Sequence, residues 1–402
     1  MPGTELFGAE ERKEIEDVVS TGVMFRYNHD AIRNNFWKAK DFESEVKKIN
    51  GAKHALAVSN GSAAILAALA ASGIGTGDEV ICPPFTYIAT IEAILFLGAL
   101  PVFAEIDETL CLSANGIKQA ISPKTKAVCL VHMCGGNANM DEIMPVIKQH
   151  NLILVEDAGQ AFASSYKGIY TGLFGRAGAY SFDFFKIATA GEGGVFVTND
   201  ESIYKLADSF CDHGHDHVGD KRGMENHPIV GFNFRISELH AAVGVAQTRK
   251  VPKILEINRK HKKFMPDLLS KTEGIGFAKL GDESGDSATF LNILMPSTEI
   301  AQRVVDEFNK AGLAGFDYWF KNMYHFINQW DHIKGLKTAS RLPIEVLGSS
   351  QDYKNLNLPK TQEVIGRLIS FGVKCAWTEA YMAEIADKIS RCVKKAMQPV
   401  SA

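Results

Sequence analysis

From Lys53 to about Asp200, short apolar runs alternate with stretches whose apolar positions recur every three or four residues, the pattern of strands and helices taken in turn. The runs predict strands at His54–Val58, Glu79–Cys82, Pro101–Glu105, Ala127–Val131, Ile153–Glu156, Ala179–Phe182 and Gly194–Thr198. Between them Ser62–Ala71, Ile88–Leu97 and Asp141–Gln149 read as helices, with Gly73 and Gly98 placed as C-terminal caps. This alternation predicts an α/β fold with a mostly parallel sheet covered by helices on both faces. A long helical pattern covers Ile236–Met265, and Phe290–Met295 followed by Thr298–Ala311 then predicts a small α+β unit. Met382, Ile385, Ile389, Cys392, Val393 and Ala396 mark a terminal helix by their spacing. The expected division is a large domain with its N-terminal segment at 1–255 and a small domain at 256–402. The polar, glycine-bearing loop Cys211–Phe232 is long for a connection, which points to function or mobility.

Composition narrows the partners. At 402 residues, 46% hydrophobic and 22% charged, the chain is an ordinary globular one rather than a disordered one. A formal charge of −4 and the lack of a basic stripe interleaved with aromatics argue against nucleic acid or a membrane surface as partner, and for small-molecule ligands. The seven cysteines form no CxxC pair and are odd in number, which favours a reducing compartment. With no basic patch ahead of an apolar core near Met1 and no apolar stretch of membrane-spanning length, the expectation is an unprocessed cytoplasmic protein.

The candidate chemistry centres on Lys186, in the run Phe182-Asp183-Phe184-Phe185-Lys186-Ile187. A lysine desolvated by such neighbours is a neutral amine able to condense with an aldehyde; a lysine snorkelling from a strand end is the bland alternative. Gly61 and Ser62 follow a strand and open a helix, as in a phosphate site or a plain glycine turn with a serine cap. Phe85 or Tyr87, past the next strand, offers a face for a heteroaromatic ring, with core packing as the rival. Asp157 stands just past an apolar strand, where a carboxylate pairs with a protonated pyridine nitrogen or is merely solvated. Ser181 adds a hydroxyl near Lys186, and Gly191, Gly193 and Gly194 permit a tight turn. Asn233 and Arg235 offer an amide donor and an anion clamp, or an ordinary helix-capping arrangement.

Together Gly61-Ser62-Ala63, Pro84-Phe85-Thr86-Tyr87, Glu156-Asp157-Ala158-Gly159-Gln160, Ser181-Phe182 with Lys186, Gly191-Glu192-Gly193-Gly194 and Gly231-Phe232-Asn233-Phe234-Arg235 resemble the DegT/DnrJ/EryC1/StrS sugar aminotransferases. The resemblance runs from Phe7 to the terminal helix. It implies an aspartate-aminotransferase-like, fold-type-I domain that binds pyridoxal 5′-phosphate. By the same resemblance Lys186 joins the cofactor aldehyde, Asp157 meets its ring nitrogen, Tyr87 stacks on it and Gln160 lies near its hydroxyl. Gly61, Ser62 and Ser181 would hold the phosphate with Asn233 of a neighbouring subunit, which implies a homodimer with shared active sites. The family's His-x-Tyr-Gly segment reads His132-Met133-Cys134-Gly135 here, so the acceptor pocket is expected to differ.

Phe25-Arg26-Tyr27, the run Phe103–Leu112, Val131–Gly135 and Asp212-His213-Gly214-His215-Asp216-His217 resemble the branch acting in lipopolysaccharide sugar biosynthesis. That implies amino transfer from an amino acid, L-glutamate by family resemblance, to the C8 aldehyde of an oxidised 3-deoxy-manno-octulosonate. Arg26, His213 and Arg235 are the candidate substrate contacts, the arginines for a carboxylate, although ion pairing explains either equally. His213, His215 and His217 lack a fourth ligand nearby, so no metal is expected. The rival readings are a nucleotide-linked 4-keto-6-deoxy-sugar aminotransferase and a non-catalytic cofactor-binding regulator.

Overall fold

The computed structural model describes residues 2–219 and 222–399, so residues 220 and 221 of the polar loop lie outside the described residues. Its central sheet has seven strands. They are β1 (His54–Val58), β2 (Glu79–Cys82), β3 (Leu100–Phe103), β4 (Thr125–Val131), β5 (Ile153–Asp157), β8 (Ala177–Ser181) and β9 (Gly194–Thr198). Between the last groups a short hairpin intervenes, β6 (Ser165–Tyr166) with β7 (Ile169–Tyr170). The order is β1-β9-β8-β5-β4-β2-β3, with β9 antiparallel to both its neighbours and the remaining pairs parallel. Burial follows from composition: β2, β3 and β9 are buried throughout, as strands covered on both faces must be.

The predicted elements recur with ends shifted by no more than two residues, except that the long helix runs four residues further, to Leu269. The helix Gly61–Ala71 begins one residue early because the Asn60 side chain, rather than a serine, accepts the Ala63 N–H at 2.8 Å. Gly73 and Gly98 follow the helix ends with φ of +82° and +76°, a conformation that costs glycine little.

The small unit carries a four-stranded antiparallel sheet, β10 (Gly276–Phe277), β11 (Phe290–Leu294), β13 (Leu368–Gly372) and β12 (Phe316–Tyr318) in that order, covered by the helices Thr298–Lys310 and Glu379–Met397. The expected boundary at 255/256 falls inside one helix, Glu238–Leu269. Nor does everything beyond it stay apart. Phe326, Ile327, Trp330, Ile333, Ile344 and Tyr353 join the core of the large sheet. Burying those aromatic and aliphatic groups against β2 and β3 outweighs a clean division, because apolar area is stabilised wherever it meets other apolar area. This return segment brings a stretch of chain to the carboxyl ends of the strands, where ligands bind in open α/β sheets.

Candidate active site

Asp157 ends β5 and is buried, at 6% exposure. Its Oδ2 accepts the Thr90 hydroxyl at 2.6 Å and its Oδ1 the Gly159 N–H at 2.9 Å. Burial pushes the carboxyl above its ordinary range, while the Thr90 and Gly159 donors and the Lys186 and His132 charges act the other way. A dry carboxylate held this firmly is suited to a cationic partner such as a protonated ring nitrogen.

Across the strand ends, Ser181 closes β8 and lies against Gly61. A Cβ at Gly61 would sit 2.7 Å from the Ser181 Cβ and 2.8 Å from its Oγ, so only glycine allows this approach. With Asn60 capping Ala63, the amides of Gly61 and Ser62, the exposed Ser62 side chain and the Ser181 hydroxyl converge at a helix N-terminus. This cradle and the Asp157 carboxylate fit the two ends of pyridoxal phosphate, and the Lys186 charge is felt at Asp157.

That turn is closed by two backbone bonds, Phe182 N–H to Gly193 at 2.8 Å and Ala190 N–H to Phe182 at 2.7 Å. Asp183 caps it through Phe185 N–H and places a carboxylate oxygen 3.7 Å from Lys186 Nζ. The flanking phenylalanines point outward, Phe184 being 57% and Phe185 67% exposed, while the Lys186 side chain itself is 15% exposed. The turn rather than a strand carries Lys186 and sets it beside the Asp183 carboxylate.

Tyr87 presents a half-exposed ring, 5.4 Å from the His325 ring and near Tyr324. Gln160 accepts the Cys134 N–H at 3.1 Å, which orients its amide and leaves the NH2 group for a ligand. Cys134, where the family's tyrosine is expected, is buried and left-handed with φ of +54°.

The remaining candidates are engaged elsewhere. Arg26 is buried, donating from its two terminal nitrogens to the Ala57 carbonyl at 2.5 Å and to Glu43 at 2.8 Å, which places it in a core ion pair. Arg235 pairs with Asp212, which also takes Arg222 and His217. Asn233 is exposed, its Oδ1 turned to the Arg235 N–H at 3.2 Å. Ser237 caps the long helix, accepting His240 N–H at 3.3 Å, so the capping alternative is also realised here. His213 is exposed beside Phe232, His215 lies between Glu225 and His227, and His217 bridges Asp208 and Asp212, so the three imidazoles face three different sets of partners.

Two residues escaped the sequence reading. Thr90 carried a faint signal, standing four positions after Thr86 on a helix whose other residues are apolar apart from Glu92, and the Thr86 and Thr90 hydroxyls are 2.8 Å apart. His325 carried none, since it reaches the site from far along the chain. Thr86 N–H donates to the His325 carbonyl, Ile88 N–H to Tyr324 and Ile327 N–H to Pro84, at 3.0, 3.1 and 3.0 Å.

A profile of the DegT/DnrJ/EryC1/StrS aminotransferase family matches residues 13–390. The GDP-perosamine synthase of Escherichia coli O157:H7 is 40% identical over 219 residues, 54% of this chain and 59% of that protein. That of Vibrio cholerae is 38% identical over 250 residues, 62% of this chain and 65% of the other. The chain thus spans less than two thirds of the length of these relatives. Among solved structures, the aminotransferase from Psychrobacter cryohalolentis matches with a TM-score of 0.82 at 25% identity, over 98% of each chain.

Proposed function

The chain belongs to the DegT/DnrJ/EryC1/StrS aminotransferase family, and from that premise we propose that it moves an amino group from an amino acid, L-glutamate, to a sugar carbonyl with pyridoxal phosphate as cofactor. The observation that carries this is the grouping of the Gly61–Ser181 cradle, the buried Asp157 and the Lys186 charge that reaches it at the carboxyl ends of the strands. The cofactor, once bound, supplies an aldehyde that condenses with amines and a protonated ring that draws electrons from the neighbouring carbon. Asp157 keeps a proton on the ring nitrogen opposite it. The Lys186 Nζ takes the proton from the amino acid's Cα and returns it on the sugar side in the second half of the cycle. Asp183 steadies that nitrogen when it carries the extra proton. Tyr87 covers the ring, Gln160 meets its hydroxyl, and Ser62 and Ser181 hold the phosphate with Asn233 of a partner subunit.

The acceptor proposed is the C8 aldehyde of an oxidised 3-deoxy-manno-octulosonate, supported by the Phe25-Arg26-Tyr27, Phe103–Leu112 and Asp212–His217 stretches. A nucleotide-linked keto-sugar is the second reading, supported by the relatives called GDP-perosamine synthases. Exposed Phe184, Phe185 and Phe232 favour a homodimer that covers them. Free cysteines, six of them buried, suit the cytoplasm, and among the described residues no helix is long and apolar enough to cross a membrane.

The test is a panel of oxo-sugars, with and without a carboxylate, given to the amine-charged protein while the return of the aldehyde-form spectrum is followed. Faster return with the nucleotide sugar overturns the octulosonate; no conversion by glutamate leaves a cofactor-binding regulator.

A further inference from the structure

We propose that the bare Nε2 of His325 accepts a hydrogen bond from the sugar's hydroxyl on the carbon next to the reacting carbonyl, and so separates sugar from amino acid within one cleft. The inference rests on the aminotransferase reading above. Asn322 Oδ1 accepts both the Tyr324 N–H at 3.0 Å and the His325 Nδ1 at 2.9 Å. The backbone donor fixes that oxygen as an acceptor, so the imidazole proton resides on Nδ1 and Nε2 carries a lone pair. Among the described residues no hydrogen bond reaches Nε2.

The ring is held in place. It stands edge-on to Trp319 with centroids 4.8 Å apart and is tilted at 59° against Tyr87 at 5.4 Å, while its backbone is bonded to Thr86. Burial and the Lys186 charge push its pKa down to about 3, which favours the neutral imidazole. A neutral lone pair welcomes a hydroxyl and repels a carboxylate. The two substrates differ at this point: the sugar has a hydroxyl beside its reacting carbon, and the amino acid has a carboxylate there. Serving both from one cleft requires a group that recognises the first without gripping the second.

Single-turnover half-reactions with L-glutamate and with the C8 aldehyde of 3-deoxy-octulosonate test this in wild type, H325F and H325Q, followed by the cofactor spectrum. H325F is expected to lower the ratio of sugar to glutamate rates about tenfold or more, and H325Q, which restores a carbonyl acceptor, to recover part of it. The 7-deoxy aldehyde should slow the wild type by a similar factor and H325F no further. Equal losses in both halves, or a further loss with the deoxy sugar in H325F, overturn the proposal. Independently, 15N spectra of the cofactor-free protein should show His325 as a single Nδ1–H tautomer that does not titrate between about pH 5 and 8; an Nε2–H form overturns it. Wild type inert toward the aldehyde in both forms refutes the octulosonate reading itself, a failure visible without any variant.

Discussion

Thr90 and Asp157 are 67 positions apart in sequence, yet the threonine hydroxyl lies 2.6 Å from the aspartate Oδ2 beneath the site. Removing this donor should push the carboxyl further up and weaken its hold on a protonated ring. T90V is expected to lose about 1.5–3 kcal/mol of cofactor affinity, the range for hydrogen bonds to charged groups, measured by fluorescence titration of the cofactor-free protein. An unchanged affinity would show that the hydroxyl only fills space.

The same carboxyl has a pH signature. Its folded pKa lies above the unfolded value, so its favourable contribution is complete below the ordinary carboxylate range of about 4 and disappears as pH rises through the folded value. Cofactor-free D157N should therefore approach the wild type in acid and exceed it at neutral pH in urea unfolding. The same variant should bind the cofactor poorly.

Gly61→Ala places a methyl group 2.7 Å from the Ser181 Cβ, closer than such atoms approach. The cradle is expected to spread, with cofactor affinity falling about tenfold or more, an energy within the usual cost of overpacking. The double variant G61A/S181G removes the opposing Cβ and should recover folding stability without the Ser181 phosphate contact. Thermal shift with and without cofactor separates the two effects.

Arg26 and Glu43 form a buried pair 2.8 Å apart. R26M strands the Glu43 charge and should cost about 3–5 kcal/mol of stability, whereas R26M/E43Q should recover most of that. If the double variant stays folded with the sugar KM unchanged, the arginine is confirmed as structural; a large rise in KM would return it to the substrate site.

His217 donates from both ring nitrogens, to Asp208 and Asp212 at 2.9 Å each, and its pKa is raised to about 9. The stability this provides is fully present below the ordinary histidine value of about 6.5 and fades as pH rises through about 9. Tm should decline over that interval in the wild type, and H217Q should flatten the decline. A parallel fall in both proteins would assign the pH response to other groups.

The central sheet is legible in the residues alone, as are the strand ends and helix starts on which the proposed chemistry rests. Strands such as His54–Val58 and Gly194–Thr198 are legible to the residue because short apolar runs bounded by polar or glycine positions have one stable use in an α/β chain. Gly61, Asp157, Ser181 and Lys186 were legible because strand ends and helix starts are local features, and local features are written in neighbouring residues. Tertiary structure alone decided what those residues touch. Residue order alone does not show that Arg26 stands against Glu43, nor that within the Lys186 run Phe184 and Phe185 face outward while Phe182 and Ile187 are buried. Phe326, Trp330 and Tyr353 lie in the core of the large sheet rather than of the small one, because apolar groups are stabilised wherever they meet other apolar surface. His325 had no mark in the sequence at all: pairing between Pro84–Ile88 and the stretch at 324–327 carries it to the cleft, and such long-range pairing is set by the packing of the whole chain rather than by any segment of it.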